Sequence, residues 1–170
     1  MARRFRGEFH QKVDGKGRVS IPALFRRVIE ASDPDWSEGQ RPNLVIVYGD
    51  HRRKFLECYT MEAIDEIDRQ IDALPRGSKA RRMLERLMHG QSHPTQVDED
   101  GRIVLPQKLR DKIELDGEAF FIASGDRFQI WKPDTYAEAE AETEAWLDSL
   151  PEDFDPLSLL SGPPEGGEAS

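Results

Sequence analysis

The sequence predicts an α+β fold, dominated by β-structure and made of two similar halves. Three observations carry that prediction. First, one stretch is written twice. Val13-Asp14-Gly15-Lys16-Gly17-Arg18-Val19-Ser20-Ile21-Pro22 returns as Val97-Asp98-Glu99-Asp100-Gly101-Arg102-Ile103-Val104-Leu105-Pro106 with no gap. Carried on to Arg26 and Arg110, the copies agree at six of fourteen positions, and three more stay apolar. Second, each copy leads into a hairpin pattern: Leu44–Tyr48, Gly49-Asp50 and Phe55–Tyr59 in the first half, then Ala119–Ala123, Gly125-Asp126 and Phe128–Trp131 in the second. The Gly-Asp pairs supply the turns. Third, each half has too few strands to close a sheet alone, so the two are expected to share one.

Taken in order, Arg3–Phe9 reads as a first strand that runs into the first copy. Within each copy, Asp hydrogen-bonds its own backbone ahead and Gly takes a positive φ, which makes a tight turn. Arg18 and Arg102 leave those turns at the start of a short apolar strand. Pro22 and Pro106 end the strands and open helices, because proline fits a helix start but not a sheet interior. Pro22–Ala31 is the first helix, with Ala23, Leu24, Val28 and Ile29 inward. Ser32–Pro42 is a loop. Thr60 caps a helix over Met61–Leu74, with Ala63, Ile64, Ile67 and Ile71 at helical spacing. Ser78 caps another to about His89, with Met83, Leu84, Leu87 and Met88 inward and Arg81, Arg82 and Arg86 outward. Gln91–Val97 enters the second copy, and Gln107–Leu115 is its helix. A last helix starts at Lys132-Pro133-Asp134 and ends near Leu150. Beyond Pro151 the Pro, Gly, Ser and acidic composition predicts a disordered tail.

Composition narrows the function classes. The chain has 170 residues, 37% hydrophobic and 34% charged. No apolar run approaches the roughly 20 residues of a membrane span, and the N-terminus has no apolar signal core. The lone Cys58 is read as a small buried hydrophobe. These features point to the cytoplasm. The net charge of −9 hides an asymmetry. Asp134–Ser170 carries eleven acidic residues and no Lys or Arg, and the rest of the chain has a net charge of +2. An anionic partner is therefore compatible with the remainder.

The candidate chemistry sits on the repeated turns. The planar guanidinium of Arg18 or Arg102 can donate two parallel hydrogen bonds to guanine or clamp a phosphate. Asp14 and Asp98, four residues earlier, can orient it or simply cap the turn. Lys16 at the first apex fits a phosphate contact, which positions without specifying. Arg3, Arg4 and Arg6 are expected to extend the same face. The competing reading makes Asp14–Arg18 and Asp98–Arg102 solvated ion pairs of a hairpin. His89 and His93 are four apart, but Gly90 and Pro94 break the helix a metal site would need, so no metal or cofactor is expected. No phosphate loop, nucleophile elbow or catalytic carboxylate pair is present, so no enzyme and no small-molecule substrate is expected. A hydrolase built on His10, His51, His89 or His93 has no supporting constellation. The helix pair between the halves carries more apolar side chains than a thin sheet can cover, which predicts a subunit interface there.

The repeated Asp-x-x-Gly-Arg-hydrophobic-x-hydrophobic-Pro element resembles the SpoVT/AbrB-like swapped-hairpin DNA-binding domains. Two copies, a helix pair between them and the strand Phe5–Phe9 are similar to the MraZ family, over about Phe5 to Tyr136. The resemblance implies a duplicated swapped-hairpin barrel with pseudo-two-fold symmetry and peripheral helices. It divides the chain into AbrB-like units at 5–60 and 91–136, a helix pair at 61–90, an acidic helix at 137–150 and a tail at 151–170. It further implies a homo-oligomeric ring in the nucleoid. That ring would bind repeated sites in double-stranded promoter DNA and regulate the bacterial division and cell-wall cluster, as a repressor. Asp14, Arg18, Asp98 and Arg102 fall on the family's reading motif. One departure is plain: the second turn is Glu-Asp-Gly where the first is Gly-Lys-Gly. The alternative is an antitoxin-like protein-binding module of the same fold. Such antitoxins usually carry one copy and a toxin-wrapping tail, so the duplication argues against it.

Overall fold

The computed structural model describes residues 3–162. Those residues fall into two compact units divided after Tyr136. The first holds eight strands. Six of them, β1 (Glu8–Lys12), β3 (Asn43–Val47), β4 (Phe55–Thr60), β5 (Ser92–Gln96), β7 (Glu118–Ser124) and β8 (Arg127–Trp131), form one antiparallel sheet in the order β1-β7-β8-β4-β3-β5. The other two, β2 (Arg18–Ser20) and β6 (Arg102–Val104), form a separate two-stranded antiparallel ribbon.

The first strand of each half bonds to the hairpin of the other half. β1 pairs with β7, and β5 pairs with β3. The register is the same in both places: Phe9 faces Phe121 and, correspondingly, His93 faces Ile46. The hairpins meet at the centre, where β4 and β8 pair about Glu57 and Gln129. Exchanging each strand for its counterpart reverses the order and leaves it otherwise unchanged.

The barrel implied by the resemblance does not close. The six-stranded sheet is open, with β1 and β5 as unjoined edges. The strands that would have to bridge them, β2 and β6, are three residues long and bond to one another instead. A single bridge, Val13 to Val19, stitches the ribbon to the end of β1. The expected strand over Arg3–Phe9 also differs, since β1 begins at Glu8. Upstream, Phe5 donates its amide to Gly125 O at 2.8 Å and buries its ring.

Alternation on the strands decides the core. Leu44, Ile46, Leu56, Cys58, Ala119, Phe121, Phe128 and Ile130 point to one face and are buried. Val19 and Ile103 from the ribbon cover them, together with α1 (Ala23–Ala31) and α4 (Gln107–Lys112). In α1 the buried stripe is Phe25 and Ile29, with Val28 packed alongside. Leu24, expected inward, is 55% exposed because it lies off that i, i+4 stripe. On the opposite face, Val45 and Tyr59 pack under α2 (Met61–Asp72). Phe120 and Trp131 there pack against Tyr136. The buried Glu57 is partnered by Arg53, by Arg127 at 3.1 Å and by the Tyr59 hydroxyl at 2.9 Å, which offsets the cost of burying its charge.

Caps set the middle helices. Thr60 Oγ1 accepts from Ala63 N at 3.1 Å, and Ser78 Oγ from Arg81 N at 3.2 Å. The helix expected to reach His89 instead changes pitch. α3 (Lys79–Glu85) gives way to a π-helical turn over Arg86–Gly90, closed by Gln91 N to Arg86 O at 3.0 Å. Arg81, expected outward, folds back and donates to Leu74 O at 2.9 Å, tying α3 to the end of α2. Met83 and Leu84, expected inward, are exposed.

The last helix, α5 (Pro133–Asp148), starts in the first unit and continues into the second. The second unit also holds a 3₁₀ turn over Pro156–Ser161, where Asp155 Oδ1 accepts from Leu157 N at 3.0 Å. That capped turn lies within the segment expected to be disordered. The rest of the expected tail, 163–170, lies outside the described residues. No helix among the described residues is long and apolar enough to cross a membrane.

Phe25 is fully buried and touches the rings of Phe5, Phe9 and Phe128, with centroids 5.0–5.3 Å away. Phe25→Ala should cost about 3–5 kcal/mol, read as a lower urea midpoint at unchanged m-value.

Candidate nucleic-acid interface

The ribbon is built so that its buried residues fix its exposed ones. Val19 faces Ile103 at the centre, and both side chains are 1% exposed. Alternation then turns Arg18, Ser20, Arg102 and Val104 outward. Arg18 faces Val104 and Ser20 faces Arg102. The two arginines are thus diagonal neighbours on one surface, about 7–8 Å apart at the backbone. Together with Lys12, Val13, Asp14, Ser20 and Gly117 they line one shallow groove of about 380 Å³.

Each end of the ribbon carries one of the repeated turns. In the first, Asp14 Oδ1 accepts from Lys16 N at 3.0 Å and Arg18 N at 2.9 Å. Asp14 Oδ2 accepts from Arg18 Nε at 2.6 Å. The carboxylate therefore both closes the turn and grips the guanidinium at its inner nitrogen. Among the described residues the two outer nitrogens of Arg18 bond no protein group. Lys16 stands exposed at the apex. The Arg18 amide, with the Arg18 side chain and the Lys16 amide, holds the Asp14 carboxyl below its ordinary value.

The second turn repeats the backbone but not the side chains. Asp98 Oδ1 accepts from Asp100 N and Arg102 N, both at 2.9 Å. The Arg102 amide is the main cause of a lowered Asp98 pKa. Arg102 Nε, however, lies 3.9 Å from Asp98 Oδ2, and Nη2 donates to Asp100 Oδ2 at 3.0 Å. Glu99 is held by Arg41, whose Nε and Nη2 donate to its two oxygens at 2.8 Å each.

Gly17 and Gly101 lock the turns to the opposite strands. Gly17 (φ +83°) accepts Leu105 N at 2.8 Å, and Gly101 (φ +77°) accepts Ile21 N at 2.8 Å. A Cβ on Gly17 would stand 2.2 Å from Leu105 O. The guanidinium of Arg110 packs over Gly17, and that of Arg26 over Gly101. The sequence pattern puts Arg26 on the exposed face of its helix, whereas its guanidinium folds over Gly101 and its Nε is buried. Arg41 is not legible from the sequence, because a single arginine in an irregular loop carries no periodic signal.

Arg3 does not join this surface. It lines a separate concavity with Ser32, Thr60, Glu62 and Asp126, and Phe5 fixes the segment of Arg3 and Arg4 at the Gly125 turn. Asp14 lies beyond the other end of β1. His89 Nε2 pairs with Asp68 at 2.9 Å. No cluster of three or more His, Cys, Asp or Glu suited to a metal occurs among the described residues.

The comparisons agree on one family. A family model described as "MraZ protein, putative antitoxin-like" matches residues 88–153. The chain is 71% identical over 163 residues to the transcriptional regulator MraZ of Ruegeria pomeroyi, covering 95% of this chain and 98% of that one. It is 54% identical to the protein of that name from Cereibacter sphaeroides, covering 94% and 97%. It is 30% identical to that from Alkalilimnicola ehrlichii, covering 91% and 99%.

Two stability measurements check the turns. Gly17→Ala should destabilise by about 2 kcal/mol or more, whereas Gly15→Ala, whose Cβ would meet open space, should change the urea midpoint little. Because folded Asp14 titrates below its free value, its stabilisation is complete above the unfolded pKa of about 3.9 and fades as pH falls past it. The stability gap between wild type and Asp14→Asn should therefore hold through neutral pH and shrink below about pH 4.

Proposed function

The chain belongs to the MraZ family, and from that membership we propose that it regulates transcription by laying the outer face of the β2–β6 ribbon on double-stranded promoter DNA. The observation that carries this reading is the shared placement of Arg18 and Arg102. Two arginines from distant copies of one motif stand as neighbours on a single exposed surface, each beside an aspartate turn. The core residues Val19 and Ile103 hold the strands that bear them, so the donors are positioned before DNA arrives.

Roles follow from geometry. Arg18 offers two unengaged outer nitrogens to a base edge or a phosphate. Lys16, at the apex, makes a phosphate contact that sets register. Asp14 orients Arg18, and Asp14 and Asp98 each close their turn. Arg3 and Arg4, at the far end of β1, are outside this contact. The exchanged strand order supports treating the halves as a duplicated swapped-hairpin unit. The exposed apolar residues Met83 and Leu84 support self-association through α3, and a homo-oligomeric ring would repeat the ribbon for repeated promoter sites. The target is the division and cell-wall gene cluster, where the protein acts as a repressor. The family model's description also favours a second reading, an antitoxin-like module that binds a protein.

A gel shift separates the two readings. With a duplex covering the promoter upstream of the chain's own gene, Arg18→Ala should lose about 1–3 kcal/mol of affinity. Wild-type affinity should fall by about 0.9 log units per log unit of salt for each phosphate neutralised. No binding of the duplex at low salt would leave the protein-binding module.

A further inference from the structure

The two turns share a backbone and differ in how they leave their arginines, and that difference assigns a role to Asp100. In the first turn, Asp14 takes Arg18 at Nε, 2.6 Å away, and leaves the outer fork to solvent. In the second turn the corresponding Nε is buried, bonds nothing among the described residues, and stands 3.9 Å from Asp98. The fork has turned instead to Asp100, which accepts from Nη2 at 3.0 Å. Asp100 occupies the position that Lys16 fills in the first copy. An attractive apex for a polyanion is thus replaced by a repulsive one that also engages the reading side chain.

Glu99 does not act in the same way. Its charge is answered by Arg41, which donates to both of its oxygens. Arg41 comes from the loop between α1 and β3, outside the repeated motif. Glu99 therefore takes no donor from Arg102. Asp100 is 72% exposed in its side chain, and its carboxylate accepts nothing from the backbone of the turn. The turn is closed by Asp98 alone, so Asp100 is dispensable to it.

Resting on the DNA-binding reading above, we propose that Asp100 is a positioning residue that restrains Arg102, so that the two halves of the ribbon grip DNA unequally. The first turn binds as it stands. The second binds only when Arg102 leaves Asp100 for the nucleic acid. The exchange of one exposed ion pair for another weakens the contact without abolishing it, and it tilts the footprint toward the first half.

The test is a double-mutant cycle on the full-length chain, using the promoter duplex named above. Wild type, Asp100→Asn, Arg102→Ala and the double variant are compared by gel shift across a salt series. Asp100→Asn should raise affinity roughly two- to fivefold and steepen the salt slope by about 0.9 if one more phosphate is engaged. In the Arg102→Ala background the same change should gain clearly less, because only the relief of charge repulsion remains. An equal gain with and without Arg102 would overturn the positioning role and leave plain repulsion. No gain in either background would overturn the proposal while Arg18→Ala still loses binding. If wild type binds no duplex at low salt, the DNA-binding reading fails first. Unchanged thermal unfolding of Asp100→Asn would show that the turn itself is intact.

Discussion

The main sheet depends on an exchange of strands. Neither half bonds its own first strand to its own hairpin: β1 is carried by β7 and β5 by β3. A half alone would leave an exposed strand and an unpaired hairpin edge, with backbone donors and acceptors unsatisfied. The halves are therefore obligatory partners, and the β4–β8 pairing about Glu57 and Gln129 joins them at the middle. Covering the inner face with Val19, Ile103, Phe25 and Leu109 then forces the ribbon into one position.

That position explains why the outer surface is ordered. A three-residue strand has little stability by itself. Here each one gains a buried apolar centre, a bond from the following residue to the other half's turn glycine, and an arginine packed over that glycine. Arg18 and Arg102 emerge from this framework rather than from a mobile loop. The aspartates are drawn into the same network, and the backbone amides they accept hold their carboxyls below the ordinary value.

Symmetry of backbone does not carry over to charge. The first turn presents Lys16 and an open Arg18. The second presents Asp100, with Glu99 held by Arg41 and Arg102 held by Asp100. The same fold thus offers a polyanion two unlike surfaces at the ends of one ribbon. The −9 net charge of the chain says nothing of this, because the acidic residues of 134–170 dominate it.

The sequence by itself determined the duplication, the Asp-Gly-Arg turns, both hairpins and the caps at Thr60 and Ser78. Each of these is set by contacts within a few residues, where Gly, Pro, Asp and strand alternation act directly. The tertiary structure decided which strand pairs with which, that the sheet stays open, and that Phe25 rather than Leu24 faces the core. It also decided that Arg3 lies apart from Arg18 and that Arg41 answers Glu99. Those outcomes depend on groups far apart in the chain, and no local pattern of residues encodes the partner that a distant side chain will meet.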